Sequence, residues 1–185
     1  MRHFSRKYRS MYEARELPDW ERIVLRRALH HPDRNLLYVI NAKAASSSLR
    51  DMMIAMSRAD GTRLISFPRR SWRDLSPALT DPDVYRFTVA RHPVSRAVSS
   101  FVNLFVNRNN GFEWRHIPYM WRTGLKFGDA SSANFDRFLD YVEEAMAESE
   151  MFCDVHLRLQ THNLGARHLR YDRIGHYETL TEDVA

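Results

Sequence analysis

One stretch constrains this chain more than any other. Residues 36–41 (LLYVIN) run apolar almost without a break, and residues 42–48 (AKAASSS) carry small side chains and one lysine. Leu49, Met52, Met53 and Met56 then recur at i, i+3, i+4 and i+7. The apolar run reads as a strand buried on both faces, and the recurrence as one face of a helix. Strand, small-residue loop and helix make the repeating unit of an α/β fold. A second unit follows: residues 85–90 (YRFTVA) read as a strand leading into Arg91, His92 and Pro93. Pro93 suits the first turn of a helix, and Val94, Ala97, Val98, Phe101, Val102 and Phe105 continue at helical spacing.

The remaining segments fit around these two units. A helix is expected from residue 20 to about 29, closed by His30, His31 and Pro32. A short strand is expected at 64–67, and a helix carrying Phe135, Phe138, Leu139, Val142 and Met146. Residues 168–178 read as a strand with a turn, and residues 107–129 as an irregular excursion. The expected fold is α/β: three layers, P-loop-like, with a mostly parallel central sheet flanked by helices. Ligands of such sheets bind beyond the carboxyl ends of the strands, where Lys43 and Arg91 both fall.

At 185 residues, one domain over 18–185 behind a basic arm at 1–17 is the natural division. No apolar run approaches the roughly 18 residues of a membrane span. The start is basic but lacks the apolar stretch of a secretory signal. Cys153 is the only cysteine, which excludes an internal disulfide and suits a reducing compartment. The expected location is therefore cytoplasmic, with peripheral membrane contact through the basic arm left open. A formal charge of +5 favours an anionic partner. The basic residues are dispersed and match no nucleic-acid module, so nucleic acid is not the expected one. Only Lys7, Lys43 and Lys126 among the 28 basic residues are lysines. A lysine in so arginine-rich a chain points to a site that wants a compact ammonium rather than a planar fork.

Ser46, Ser47 and Ser48 fall where the first turn of a helix begins, with its free N–H groups and the positive end of its dipole. Ala42, Ala44 and Ala45 leave room for a phosphate against the backbone, and Lys43 adds a point charge. The competing reading has Ser46 simply capping the helix and Lys43 solvated. The ATPase loop, G-x-x-x-x-G-K-[ST], is excluded: no glycine lies between Asn41 and Asp60, and the lysine opens the loop. No strand ends in an aspartate placed for magnesium. The strand at 85–90 leads instead into Arg91, which favours anion binding without metal.

Arg91 at that strand end can pair bidentately with a phosphate. Ser99 lies about two helical turns on, off the stripe of Val94, Ala97, Val98 and Phe101, so one phosphate beside the helix can touch both. A surface arginine and an ordinary helical serine are the plain alternative.

Together these elements resemble the sulfotransferases that use 3′-phosphoadenosine 5′-phosphosulfate, and among them the carbohydrate sulfotransferases of the chondroitin and dermatan type. Residues 42–47 (AKAASS) are similar to the family's P-K-x-[GA]-[SCGT]-[TS], with alanine in place of proline before Lys43. Residues 91–101 are similar to R-[DH]-P-x-x-R-x-x-S-x-[YF]. Tyr171, Asp172, Ile174, Gly175 and Tyr177 to Leu180 resemble a further stretch, as do Asp154, Val155 and His156 with Gln160. The likeness spans residues 36–183.

The resemblance implies an enzyme that moves a sulfuryl group from 3′-phosphoadenosine 5′-phosphosulfate to a carbohydrate or other hydroxyl acceptor, by in-line transfer without metal. It implies that Lys43 neutralises the leaving phosphate oxygens. Backbone N–H groups from Ala45 to Ser48 would hold the 5′-phosphate, and Arg91 with Ser99 the 3′-phosphate. A base must take the acceptor proton. His156, inside a family-like segment, is the first candidate, and Glu113 and His116 are the reserves. His92 would orient the second motif, and Trp114, Tyr119 and Trp121 are candidates to stack on sugar rings. The alternative function is a degenerate module of the same fold that binds the nucleotide or a sulfated glycan without turnover.

Overall fold

The protein was described from a computed structural model, in which residues 14–67, 72–107, 116–149 and 153–180 are described. It divides into two compact units, one formed by the described residues of Met1–Ala90 with Leu159–Ala185, the other by those of Arg91–Arg158. Residues 1–13 of the expected arm, and Glu113 and Trp114, lie outside the described residues.

The first unit holds a five-stranded sheet. In chain order it contains α1 (Asp19–Leu25), β1 (Ala28–His31), β2 (Leu36–Val39), α2 (Ser46–Ala59), β3 (Ile65–Ser66), α3 (Trp72–Leu75), α4 (Pro77–Thr80) and β4 (Tyr85–Ala90). After the second unit's α5, α6 and α7, the chain returns with α8 (Gln160–Asn163) and β5 (Arg173–His176). The strand order is β3-β1-β2-β4-β5. β2, β4 and β5 run parallel, as expected, whereas β1 is antiparallel to both β2 and β3.

The architecture is mixed α/β, and among the described strands β1 alone runs against the other four. The expected first helix stops at Leu25, and Ala28 to His31 pair with Val39 to Leu36. Both His31 and Ala28 are buried by that pairing. Pairing in a hairpin with β2, and with β3 on the other edge, outweighs the local helical pattern of residues 20–29.

The apolar run of β2 serves two cores. Leu37 and Val39 join a cluster with Val24, Leu25, Leu75 and Leu79, from α1, α3 and α4. Tyr38, on the other face, joins Leu49 and Met53 of α2, with Val89 of β4. Period-2 alternation thus sends neighbouring apolar side chains to opposite faces of the sheet. Thr88 of β4 donates its hydroxyl to the Val39 carbonyl at 2.7 Å. Arg86, also buried, donates from Nε to the Leu79 carbonyl at 2.8 Å and anchors the loop before β4.

The second unit is helical: α5 (Pro93–Phe101) runs into a π-helical turn at Val102–Val106, followed by α6 (Ile117–Thr123) and α7 (Ser132–Glu148). Its core is aromatic, with Phe105 stacked edge-on to Phe138 and Tyr141 at 5.6 Å each. α6 occupies part of what reads in sequence as an irregular excursion. The expected apolar stripe of α5 is also revised. Val94 and Val98 are exposed, and the buried residues of the helix are Arg96, Ser100 and Phe101. Among the described residues, no helix is long and apolar enough to cross a membrane.

Asn134 fixes the entry to α7. Its Oδ1 accepts from the Lys126 N–H at 2.8 Å, and its Nδ2 donates to the carbonyls of Lys126 and Asp129 at 2.9 and 2.7 Å. Asn134→Ala strands all three backbone groups, and an unsatisfied buried polar group costs about 1–3 kcal/mol. Urea unfolding should show a loss of about 2–3 kcal/mol, and no loss would mean that the loop is held some other way.

Candidate functional site

The loop between β2 and α2 is built from backbone geometry that side chains disfavour. Lys43 has φ 69° and Ala45 φ 54°, both in the left-handed region. Such a conformation costs a residue with a Cβ roughly 1–2 kcal/mol, and glycine usually supplies it. Left-handed residues alternating with ordinary ones turn successive N–H groups toward one point, which makes a concave anion receptor. The loop closes through the Ala44 N–H donating to the Asn41 carbonyl at 3.3 Å. Ala42 and Ala44 are buried and Lys43 is partly buried, so larger side chains at the two alanines would force the loop open.

Ala45 is the N-cap of α2 and makes no side-chain cap. Ser46, Ser47 and Ser48 are the first three helical residues, so Ser46 does not cap the helix. The early N–H groups of the helix thus emerge beside the Lys43 turn without a capping side chain from Ala45. Asn41 ties the loop to the sheet. It is fully buried, and its Nδ2 donates to the Val89 carbonyl at 3.0 Å and to Gln160 Oε1 at 2.7 Å. Its Oδ1 is buried with no hydrogen-bond partner among the described residues. Below the loop, burial pushes the Tyr38 hydroxyl well above the usual phenol range. An apolar hollow of about 270 Å³ in the same unit, lined by Leu36, Met52, Met56, Phe87 and Leu180 among others, holds none of the expected site residues.

The other expected residues belong to the second unit. Arg91 follows β4 directly and is partly buried, and His92 is the exposed N-cap of α5, ahead of Pro93. Ser99 is partly exposed on α5. The second arginine of the motif has a different task. Arg96 is buried and donates from Nη1 to the Arg158 carbonyl at 3.0 Å and from Nη2 to the Val155 carbonyl at 2.9 Å. Ser100, one helical turn on, donates to the His156 carbonyl at 2.8 Å. Two polar residues at i and i+4 on the buried face of α5 therefore grip residues 155–158 by their backbone.

That grip presents His156. Its Nδ1 lies 2.8 Å from Asp154 Oδ1, which also accepts the His156 backbone N–H at 2.8 Å. A carboxylate only accepts, so the hydrogen bond assigns the ring proton to Nδ1 and the lone pair to Nε2. The His156 side chain keeps 25% of its exposure, against 5% for Asp154. His116, a reserve candidate for the base, is buried. Its Nδ1 pairs with the Tyr141 hydroxyl, and its Nε2 lies 3.9 Å from Asp154 Oδ2. It has no open face for an acceptor. Tyr119 bonds Glu148 through its hydroxyl and carries Arg122 over its ring at 4.7 Å, while Trp121 stands 85% exposed.

A model described as the sulfotransferase family matches residues 26–185. The chain belongs to the sulfotransferase family. No curated protein and no solved structure matches it. Sulfuryl transfer is the general chemistry of that family, so a sulfate donor and an acceptor substrate are implied for this chain too. The match takes in the Lys43 loop, the Arg91 segment and the His156 segment alike.

Reading the sequence alone misses the roles of two residues, Asn41 and Arg96. Asn41 looks like the tail of an apolar strand, and nothing local announces that it crosses to β4 and α8. Arg96 reads as one more basic residue beside Arg91, and nothing local announces that its guanidinium is buried on backbone carbonyls. Asp154 was signalled, since an Asp two residues before a His is the spacing at which a carboxylate accepts the later N–H.

The strained turn yields a test by substitution. Ala45→Gly relieves the left-handed cost but adds unfolded-state entropy, so the variant should be neutral to about 1 kcal/mol more stable. Ala55→Gly, in the exposed middle of α2, should lose about 1 kcal/mol. Equal losses at both positions in chemical unfolding would show that Ala45 is not left-handed.

Proposed function

We propose that the protein is a sulfotransferase that takes the sulfuryl group of 3′-phosphoadenosine 5′-phosphosulfate and places it on a carbohydrate hydroxyl, on a P-loop-like three-layer domain covering residues 18–185. The observation that carries this reading is the pair of left-handed residues, Lys43 and Ala45, kept without glycine at the mouth of a helix. Strain of this kind persists where a backbone must meet a ligand. An anionic phosphate suits such a turn, because the free N–H groups of a helix start, the positive end of its dipole and the lysine of the preceding turn all favour negative charge. The donor, when bound, supplies an activated sulfuryl group on a good leaving phosphate.

Each residue then has a task. Lys43 neutralises charge that builds on the leaving oxygen, where a compact ammonium serves better than a guanidinium fork. The backbone of residues 45–48 holds the 5′-phosphate, and Ser46 to Ser48 add hydroxyl donors. Arg91 and Ser99 take the 3′-phosphate. His156 accepts the proton of the attacking hydroxyl at Nε2, the ring atom that its hydrogen bond leaves with a lone pair. No metal has a task in this scheme, because lysine, arginine and backbone dipoles provide the positive field. Membership of a family of sulfuryl-transfer enzymes favours turnover over a binding module of the same fold.

Adenosine 3′,5′-bisphosphate at about 100 times its Kd should raise Tm by about 5–10 °C. Lys43→Ala should cut transfer of labelled sulfate by at least about 100-fold, the usual scale for removing one transition-state donor. A well-folded protein that shows no thermal shift would contradict the proposal. Binding without transfer to any glycan of a broad panel would leave the binding-module reading in its place.

A further inference from the structure

Within the second unit, Asp154 lies between two histidines that differ in their surroundings. On one side it holds the Nδ1 of the partly exposed His156, and on the other it faces the buried His116, whose far nitrogen is tied to the Tyr141 hydroxyl of α7. We propose that Asp154 is a positioning residue for sulfuryl transfer, holding His156 as the Nε2-basic tautomer while His116 and Tyr141 keep the carboxylate in place. This deepens the function proposed above and rests on His156 being the base.

The geometry separates this role from simple support of the turn. The turn itself is made by backbone: the Leu157 and Arg158 N–H groups donate to the Asp154 carbonyl at 2.9 and 2.8 Å. Arg96 and Ser100 hold the same segment from α5, and Arg158 donates from Nη2 to the Cys153 carbonyl at 2.8 Å. The turn thus has its own restraints, and the ring bond of the carboxylate is additional. A buried carboxylate against a ring N–H fixes the tautomer and the ring orientation, and stabilises the imidazolium that forms when the other nitrogen takes a proton. The step balances simply. The acceptor hydroxyl gives its proton to Nε2 as its oxygen bonds to sulfur, the sulfur–oxygen bond to the donor breaks, and the leaving phosphate keeps the electron pair.

Asp154→Asn is nearly isosteric and its Oδ1 can still accept the His156 backbone N–H, so it removes charge while sparing the turn. The variant should keep its Tm within a few degrees and keep the thermal shift with adenosine 3′,5′-bisphosphate. Its kcat should fall by about 10–100-fold or more with little change in donor KM. An Asn variant that folds and transfers sulfate at the wild-type rate would overturn the proposal.

Should that variant not fold, side-chain nitrogen NMR of the wild-type protein decides. The neutral His156 ring must carry its proton on Nδ1, and a proton on Nε2 would overturn the proposal. Loss of the nucleotide-induced shift in the wild-type protein is a different result, which sinks the functional reading while the tautomer still tests the placement of Asp154.

Discussion

The backbone at Lys43 and Ala45 is the constraint on which the loop between β2 and α2 depends. Two residues with side chains sit in a conformation that glycine adopts far more readily, and the surrounding structure holds them there. Ala42 and Ala44 are buried, so the turn is packed from below. Asn41 joins the carboxyl end of β2 to β4 and to α8 through one amide. The two parallel strands are thus locked where the loop leaves the sheet, and α2 must start with its N–H groups directed into the turn. Packing of Leu49 and Met53 against Tyr38 and Val89 then anchors the helix behind it. The strain is local, while the contacts that sustain it are spread over two strands and two helices.

A similar logic governs the His156 segment. The buried polar face of α5, Arg96 with Ser100, is spent on the carbonyls of residues 155–158. Arg96 has its Nη groups committed to the protein's own backbone. A buried guanidinium satisfied by carbonyls costs less than an unpaired one and fixes its partners tightly. The consequence is a catalytic candidate presented by a rigid turn rather than by a loose loop, as a site that must hold geometry within a fraction of an ångström requires.

Much of this was legible from the residues. The apolar runs of β2 and β4 and the i, i+3, i+4, i+7 pattern of α2 follow from burial alone, and they placed Lys43 and Arg91 at strand ends. β1 was not legible, because residues 20–29 keep a helical pattern and only pairing with β2 turns Ala28 to His31 into a strand. α6 was hidden by its seven-residue length and by Pro118 in its first turn. The stripe of α5 misled because Val94 and Val98, the apolar residues, are exposed while Arg96 is buried. The left-handed turn was invisible for a related reason: without glycine, nothing in the composition of residues 42–45 marks positive φ. The bond of Asp154 to His156 spans two residues and can be read locally. Its approach to His116, 38 positions earlier in the chain, cannot.

The central claim is that the Lys43 turn receives the 5′-phosphate of the donor on its backbone. Amide NMR during titration with adenosine 3′,5′-bisphosphate tests it most directly, because the ligand is reported by the N–H groups said to bind it. The amides of Ala45, Ser46, Ser47 and Ser48 should shift together, along one saturating curve, and Lys43→Ala should weaken that curve. Saturable shifts confined to other residues, with those four amides unmoved, would contradict the account.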